Sequence, residues 1–199
     1  TIVFHSPAAG ALDNLIANHL VHAPVIFPGA GYLEMARATG SVALCGAFFV
    51  RPLAVEAPTL LIDCVVSDGH FEVCSRTADS IELATVHCSG AIARVSAWQP
   101  IEHALLRAPS HAADVGALYD GFAAVGLQYG PGYRTLVHAW GGASDASARL
   151  RARSTHEGTQ VHPADLDDAL CTSGLIASGG ADGETRLPFV VDGALLQGA

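Results

Sequence analysis

One segment constrains the fold more than any other, because its residues would form a helix that is apolar on almost every side. The segment follows Pro28 and is GAGYLEMARATGSVALCG, in which Glu34 and Arg37 are the only charged residues. A helix with so little polar surface is buried on most of its sides. We therefore predict a central helix here, which the rest of the chain must surround.

Residues that favour β-strands follow this segment. They form four short runs, AFFVRPLAV, TLLIDCVV, GHFEVCSR and IELATVHCSGAIARV, separated by proline, Asp-Gly and Ala-Asp-Ser turn signals. Short runs with tight turns between them are typical of an antiparallel sheet. Residues 1–97 are thus predicted to be one unit, an antiparallel sheet around the central helix.

The second half repeats this pattern after residues 98–113, which contain two prolines and have no clear period. We predict that this segment is a linker. The run DVGALYDGFAAVG is predicted to be a helix, with Asp114 as its N-cap and Gly126 as its C-cap. The strand-like runs YRTLVHAW and ASARLRAR follow it.

A second central helix is predicted in HPADLDDALCTSGLIASGG. We expect it to begin at Pro163 and Asp165 and to end at the pair Gly179-Gly180. A final strand is predicted in RLPFVVDGALL. Residues 114–199 thus form the second unit, and the expected fold is α+β, with two antiparallel sheets that each wrap around a central helix.

The charge of the chain argues against nucleic acid and against a membrane surface as partners. The formal net charge is −9, and there is no lysine to make a basic stripe. No apolar run reaches the ~18 residues that suggest a membrane span. Arg149, Arg151 and Arg153 share one face of a predicted strand because they are two residues apart. We interpret that face as solvent-exposed; a docking patch for an acidic carrier is the alternative.

The five cysteines are scattered and form no C-x-x-C motif. This pattern favours reduced thiols over a disulfide framework and so predicts a cytoplasmic protein. The chain begins at Thr1 without methionine or signal sequence, and we expect it to be a segment of a longer polypeptide.

Two groups of residues have the chemistry for a site, and each also has a structural interpretation. His19 and His22 form H-x-x-H with no carboxylate or cysteine ligand nearby, so we predict no metal site. A histidine beside an apolar helix is ordinarily structural. The acidic cluster of Asp165, Asp167 and Asp168 could be only a helix-capping cluster, and we expect Asp165 to have this capping role.

Three stretches, in this order, resemble the motifs of polyketide synthase dehydratase domains. HLVHAPVIFPGAGYLEMA resembles the family's H-x3-G-x4-P signature, with His19 and Pro28 on the histidine and the proline. GLQYGPGYRTL resembles the Y-G-P-x-F/Y motif, and HPADLDDAL resembles the H-P-x-x-L-D motif. RLPF matches as well, so the resemblance extends from about residue 5 to residue 190.

This resemblance implies a double hotdog fold and the dehydration of a 3-hydroxyacyl chain to the 2-enoyl chain. The substrate would be a thioester on the phosphopantetheine arm of an acyl carrier protein, with no other cofactor. The implied partners are that carrier and the neighbouring domains of a megasynthase, and a homodimer is among the implied assemblies. His19 and Asp167 would be the catalytic pair.

The chemistry explains why these two residue types suffice. Removing water across C2 and C3 needs a base for the C2 proton, and the unperturbed pKa of histidine, about 6.5, suits that base. The acid would be Asp167, whose pKa would have to rise above its usual value of about 3.9. An apolar tunnel would raise the pKa, whereas a helix N-terminus would lower it. The sequence leaves open which effect is larger.

The resemblance also implies supporting residues. Gly29 and Gly31 are expected to let the acyl chain approach the helix N-terminus, whose N–H groups would face the thioester oxygen. Tyr129 is expected to orient the catalytic groups or to line the pocket. Gly130 and Pro131 complete its motif, although the three residues could also be only a turn.

Three positions depart from the family's motifs. Ala23 replaces a glycine, Asn18 an aspartate, and Cys171 a glutamine one helical turn after Asp167, where a thiol is only a weak donor. These departures favour an alternative function, a catalytically degenerate double hotdog kept as a structural or carrier-docking module. Relatives that shift a double bond or form cyclic ethers commonly change the aspartate or the motif proline, so the intact Asp167 and Pro28 favour dehydration.

Overall fold

The computed structural model describes residues 1–40, 43–56, 59–77, 84–93, 111–176, 185 and 187–196. The helices are α1 Ala11–Ile16, α2 Gly29–Ala38, α3 Val115–Ala124 and α4 Pro163–Cys171, with 3-10 turns at Pro131–Tyr133 and Thr172–Leu175. The strands are β1 Ile2–Pro7, β2 His19–Val21, β3 Ala43–Phe49, β4 Leu60–Ser67, β5 His70–Thr77, β6 Thr85–Ala93, β7 His111–Ala113, β8 Leu127–Tyr129, β9 Leu136–Gly141, β10 Ala146–Leu150 and β11 Val190–Leu195. These elements confirm the α+β class.

The largest sheet has six antiparallel strands in the order β1-β4-β5-β6-β3-β11. Its strand β6 lies within a run that the sequence predicts as a strand, and β4 and β5 each extend one residue beyond such a run. One face of the sheet packs on α2, where fully buried Leu33 and Ala36 lie in the same core as Ile62, Phe71 and Val73. The predicted antiparallel sheet around an apolar helix is therefore present.

The central helix α2 is shorter than predicted. It ends at Ala38, and Gly40 follows with a φ of 111°, in the left-handed region that glycine favours. The apolar residues after it belong to β3 and not to the helix. Leu44 and Ala47 are buried, and their spacing of three also fits a helix. A short apolar run does not distinguish a helix from a strand, so the sequence alone could not place the end of α2.

The charged pair of α2 joins this helix to the segment that precedes α4. Arg37 donates from Nε to Oε2 of Glu34 at 2.5 Å, and both side chains are buried. Arg37 also donates to the side-chain oxygen of Gln160, whose backbone N–H donates to Glu34 at 2.9 Å. A buried ion pair is tolerated when its remaining hydrogen-bonding groups are satisfied, and here they hold the two halves of the chain together.

The second half follows the prediction through α3 and differs from it on both sides. Asp114 caps α3 by accepting from the N–H of Ala117 at 3.1 Å, and Gly126 follows the helix with a φ of 89°. Residues 111–113, which are predicted as linker, instead form β7 in a three-stranded sheet of order β10-β9-β7. The remaining linker residues lie outside the described part of the chain.

The last strand, β11, leaves the second half and joins the first. It pairs with β3 in the large sheet, with Val190 opposite Phe48 and Leu195 opposite Ala43. The sequence predicts this strand but not its partner, since pairing depends on how the two halves fold onto each other. Within the described residues, the chain ends on the sheet that holds α2.

Helix α4 begins as predicted at Pro163, but its cap is His162 and not Asp165. The Nδ1 atom of His162 accepts from the N–H of Ala164 at 3.1 Å. Proline at the first helical position makes the preceding residue the cap, which leaves Asp165 in the first turn, paired with Arg153 at 2.7 Å. The helix ends at Cys171, and Gly179-Gly180 lie outside the described residues.

Candidate active site

A two-stranded ribbon of β2 and β8 brings two motifs of the sequence together. His19 lies opposite Tyr129 in its antiparallel register, and the centroids of the two rings are 5.6 Å apart. Both residues are buried. The histidine of the first motif and the tyrosine of the second therefore meet in one place.

Helix α4 places Asp167 against the same histidine. Nε2 of His19 lies 3.8 Å from Oδ1 of Asp167, and both side chains are buried. On the other side of the ring, Nδ1 lies 2.7 Å from the carbonyl oxygen of Ile26. Since a carbonyl only accepts, Nδ1 donates the proton of this bond, and in the neutral form of the ring Nε2 has its lone pair free on the side of Asp167. A neutral histidine held this way is equipped to act as a base.

The surroundings of Asp167 favour the protonated carboxyl. Burial raises its pKa to about 6, although the nearby ring of His19 opposes this change. The adjacent Asp168 raises the pKa further, and Tyr129 and Cys171 lower it through hydrogen bonding. Burial is the largest of these effects and outweighs those that lower the pKa, which answers the question that the sequence left open.

Cys171 lies between Tyr129 and Asp167. Its thiol donates to the Tyr129 hydroxyl at 3.3 Å, and its sulfur is 3.9 Å from Oδ2 of Asp167. Burial and the neighbouring Asp167 raise the pKa of the Cys171 thiol well above its usual value, so it keeps its proton. The residue that replaces the family's glutamine thus reaches the same aspartate, as a weaker donor.

Asp168 has a separate, structural role that the sequence does not reveal. It is fully buried and accepts from the Tyr119 hydroxyl at 2.8 Å, and from the Thr135 backbone N–H and hydroxyl at 2.6 and 2.7 Å. These bonds tie α4 to α3 and to the start of β9. Neighbouring residues on a helix point in different directions. Asp167 therefore faces the cavity, whereas Asp168 faces the core.

The pair His19 and Asp167 lines a cavity of about 810 Å³. The pair itself is buried, whereas Arg51, Leu187 and Phe189 are exposed members of the lining, Leu187 at 42% and Phe189 at 69%. Most of the wall between them is apolar, with Ile26, Phe27, Phe49, Leu118, Phe122 and Leu127 among its residues. Such an apolar wall suits an acyl chain.

The N-terminus of α2 forms part of this cavity, but only one of its two predicted glycines lines it. Pro28 is the N-cap residue, and Gly29 lines the cavity. Gly31 instead faces Phe27, whose ring would lie 2.5 Å from a Cβ at this position, and its N–H donates to the carbonyl of Pro28 at 2.9 Å. The expected approach of the acyl chain at Gly31 is therefore wrong, because Phe27 fills that space.

Gly130 and Pro131 support Tyr129 from outside the cavity. The N–H of Gly130 donates to the backbone carbonyl of Asn18 at 2.8 Å, and a Cβ on Gly130 would collide with the Asn18 side chain. Pro131 begins a 3-10 turn and is exposed. Neither residue is among those that line the cavity, so their contribution is the shape of the chain around Tyr129.

Ala23 has a backbone conformation that explains the family's glycine. Its φ is 85°, and that of His22 is 51°, so both lie in the left-handed region. Nε2 of His22 lies 2.9 Å from the Thr185 hydroxyl. The described residues contain no group of three or more histidine, cysteine or acidic side chains arranged to hold a metal ion.

The predicted exposed face of arginines is only partly exposed. Arg149 and Arg151 are exposed, but Arg153 is half-buried and paired with Asp165, and it also donates to the carbonyl of Gly132 at 3.2 Å. The expectation is wrong for Arg153, because the chain beyond the end of β10 at Leu150 brings its guanidinium onto Asp165 of α4. No helix in the described residues is long and apolar enough to cross a membrane.

The fold and the site define an α+β protein of the hotdog type, with a buried histidine and aspartate in an apolar cavity. The family model for the polyketide synthase dehydratase domain matches residues 1–84. The model described as polyketide synthase dehydratase N-terminal domain matches residues 98–196. The chain belongs to the polyketide synthase dehydratase family.

Curated relatives and solved structures agree with this assignment. Polyketide synthase GfsE of Streptomyces halstedii is 30% identical over 203 residues, which are 91% of this chain and 5% of that protein. Polyketide synthase ThaG of Burkholderia thailandensis is 32% identical over 196 residues, 85% of this chain and 3% of that protein. The chain thus spans a small part of these large relatives.

Two solved structures show the likeness of fold. The dehydratase domain from the CurJ module of curacin polyketide synthase superimposes with a TM-score of 0.80 at 20% identity, covering 99% of this chain and 75% of that one. A dehydratase structure from work on the borrelidin and fluvirucin polyketide synthases gives 0.75 at 28% identity, covering 98% of this chain and 74% of that one.

Proposed function

We propose that this chain is the dehydratase domain of a modular, reducing polyketide synthase. Its substrate is a 3-hydroxyacyl thioester on an acyl carrier protein, and its products are the 2-enoyl thioester and water. One observation carries the proposal: Nε2 of His19 lies 3.8 Å from Asp167 at the buried end of an apolar cavity. A free imidazole nitrogen thus lies beside a carboxyl whose pKa is about 6.

In the proposed mechanism His19 is the base and Asp167 the acid. Nε2 takes the C2 proton, whose electron pair forms the C2–C3 double bond, while Asp167 donates its proton to the hydroxyl on C3. The C3–O bond breaks and water leaves. Because the two side chains are close, a proton can return from His19 to Asp167 and reset the pair.

The thioester oxygen gains negative charge as the C2 proton leaves. Gly29 lines the cavity in the first turn of α2, a helix with no side-chain cap. Backbone N–H groups in a first turn lack helical partners and stabilise anions. We therefore infer that the thioester oxygen accepts hydrogen bonds from the N–H groups of this turn. In that orientation of the substrate, the C2 proton must face His19.

The relatives support this proposal and the partners that go with it. Polyketide synthases GfsE and ThaG are much longer than this chain, so domains of one megasynthase are the expected neighbours, together with an acyl carrier protein. Two structures at 22% identity are inactive CurK dehydratase mutants, one changed at an aspartate and one at a histidine. The double hotdog arrangement, the phosphopantetheine arm as the only carrier of substrate, the homodimer and the cytoplasmic location remain predictions.

A degenerate, non-catalytic domain is the second candidate. Cys171 and Ala23 favour it, and a relative that is 29% identical over 91% of this chain is named a putative inactive polyketide synthase, Pks1 of Mycobacterium tuberculosis. The intact pair of His19 and Asp167 opposes it.

One experiment separates the two candidates. The domain is incubated with a 3-hydroxyacyl pantetheine thioester, and loss of water is followed by mass spectrometry. Wild type should form the enoyl thioester, and His19→Ala should lose about 10² to 10⁴ of the rate, the usual effect of removing a general base. Near wild-type turnover by folded His19→Ala would remove His19 from the mechanism, and an inert wild type would favour the degenerate candidate.

A further inference from the structure

Arg51 lies where the cavity opens to solvent. It is exposed and lines the cavity together with the exposed Leu187 and Phe189, whereas the catalytic pair His19 and Asp167 is buried in the same cavity. The backbone N–H of Phe49 donates to the carbonyl of Phe189 at 2.9 Å, which keeps the two sides of this opening together. A thioester that enters the cavity on this side carries its arm past Arg51.

The charge of Arg51 is unusual for its surroundings. Among the described residues that line the cavity, it is the one permanent cation, in a chain with a net charge of −9 and no lysine. In the described part of the chain its guanidinium has no carboxylate within ion-pair distance. An exposed cation without an acidic partner is available to an anion that arrives with the substrate.

The backbone at Arg51 is fixed by hydrogen bonds to the neighbouring strand β6. Its carbonyl accepts from Nδ1 of buried His87 at 3.0 Å, and the N–H of Val50 donates to the carbonyl of His87 at 2.8 Å. Nε2 of His87 lies 2.7 Å from the Ser75 hydroxyl. Burial lowers the pKa of His87 and favours the neutral ring, in which Nδ1 donates to the carbonyl and Nε2 accepts from the Ser75 hydroxyl. This network fixes where the Arg51 side chain starts while its charged end remains in solvent.

We propose that Arg51 binds the phosphate of the phosphopantetheine arm at the mouth of the cavity. This inference rests on the proposed function, which supplies the arm. The arm joins the carrier through a phosphodiester, a single negative charge with free oxygens, and the planar guanidinium of arginine matches such oxygens with paired N–H donors. The acyl chain and thioester then lie inside, toward His19, and the phosphate stays outside with Arg51.

The test measures binding, with ligands that differ only in the phosphate. Saturated acyl phosphopantetheine and acyl pantetheine thioesters, which cannot lose water, are titrated into wild type, Arg51→Gln and Arg149→Gln by calorimetry. Arg149 is an exposed arginine on β10 that does not line the cavity. Wild type and Arg149→Gln should bind the phosphorylated ligand about 3- to 10-fold more tightly, as expected for one charge-assisted contact near solvent. Arg51→Gln should bind both ligands equally, and added salt should weaken the wild-type preference.

Several results would overturn the inference. Equal affinity of wild type for both ligands would do so, as would an unchanged phosphate preference in Arg51→Gln. An equal loss of affinity for both ligands in Arg51→Gln would assign Arg51 to the shape of the cavity instead. A preference that appears only when the arm is attached to carrier protein would assign Arg51 to carrier carboxylates. Because no turnover is needed, a wild type that prefers the phosphorylated ligand but never dehydrates would contradict the proposed function and leave this inference standing.

Discussion

The thiol of Cys171 lies 3.3 Å from the hydroxyl of Tyr129, and the same sulfur lies 3.9 Å from Oδ2 of Asp167. This contact connects the end of β8 to the helix that carries the acid. A thiol makes a weaker hydrogen bond than an amide. The position where the family has glutamine is therefore still in contact with the acid, but it orients the acid less firmly.

Cys171→Gln is expected to raise dehydration or to leave it unchanged. The amide restores a strong donor one helical turn from Asp167, and Cys171 lines a cavity of about 810 Å³ that has room for the longer side chain. The measurement is kcat/KM with a 3-hydroxyacyl pantetheine thioester. Two matched variants separate size from hydrogen bonding, since Cys171→Ser keeps a donor of similar size and Cys171→Ala removes it. A folded Cys171→Gln with much lower activity would show that the cavity uses the smaller side chain to hold substrate.

Elements with a clear local pattern could be predicted from the sequence. Helix α3 has apolar residues at helical spacing between Asp114 and Gly126; the structure confirms the N-cap Asp114, whereas the C-cap is Val125 and Gly126 follows it. Strands β4 and β5 are bounded by the turn at Asp68-Gly69. In each case neighbouring residues contain the whole signal, so no tertiary contact is needed to find it.

The remaining features depend on residues that are distant in sequence. Nothing local shows that β11 pairs with β3, that Phe27 fills the space beside Gly31, or that Asp168 belongs to Tyr119 and Thr135. His19 and Asp167 were candidates only because of the family motifs, since their residue types alone also fit structural roles. The pKa of Asp167 depends on burial and on charges brought in by folding, so no sequence pattern determines it.

The pH dependence of the reaction should report the carboxyl of Asp167. Its pKa is about 6 in the folded protein, and only the protonated form can donate to the leaving hydroxyl. We expect log kcat/KM to fall as the pH rises above about 6, approaching a tenfold loss per pH unit. Rate measurements at constant ionic strength, with substrate well below KM, test this limb. A rate that stays level from pH 6 to pH 9 would mean that the acid is another group.

Ala23→Gly is expected to stabilise the fold. Ala23 has a φ of 85°, and a left-handed conformation costs roughly 1–2 kcal/mol for a residue with a Cβ. Glycine avoids that cost but gives the unfolded chain more freedom, so we expect a net gain of about 1 kcal/mol in the free energy of unfolding. Urea denaturation measures it. Ala17→Gly is the control, because Ala17 has a φ of −54° and should gain nothing. A destabilised Ala23→Gly would show that the methyl group contributes more than the strain costs.

Asp167→Asn should separate the two halves of the reaction. The amide keeps the shape of the side chain but has no acidic proton, so water loss should fall by about 10² or more. His19 is unchanged and should still exchange the C2 proton slowly, which is followed by mass in heavy water with a saturated thioester. Normal dehydration by Asp167→Asn would place the acid elsewhere. Loss of both reactions would mean that Asp167 orients His19 or the substrate.

The same variant should change how stability depends on pH. Because the pKa of Asp167 is about 6 in the folded protein and near 3.8 when unfolded, the folded state holds its proton more tightly. The stability that this preference contributes is fully present below about pH 3.8 and is lost as the pH rises through about 6. Asparagine has no charge to bury, so Asp167→Asn should gain about 2–3 kcal/mol relative to wild type between pH 4 and pH 8. Denaturant titrations at both pH values measure this gain, with Asp120→Asn at an exposed position of α3 as the control for a general charge effect. An equal gain in the two variants would mean that the buried carboxyl is not its source.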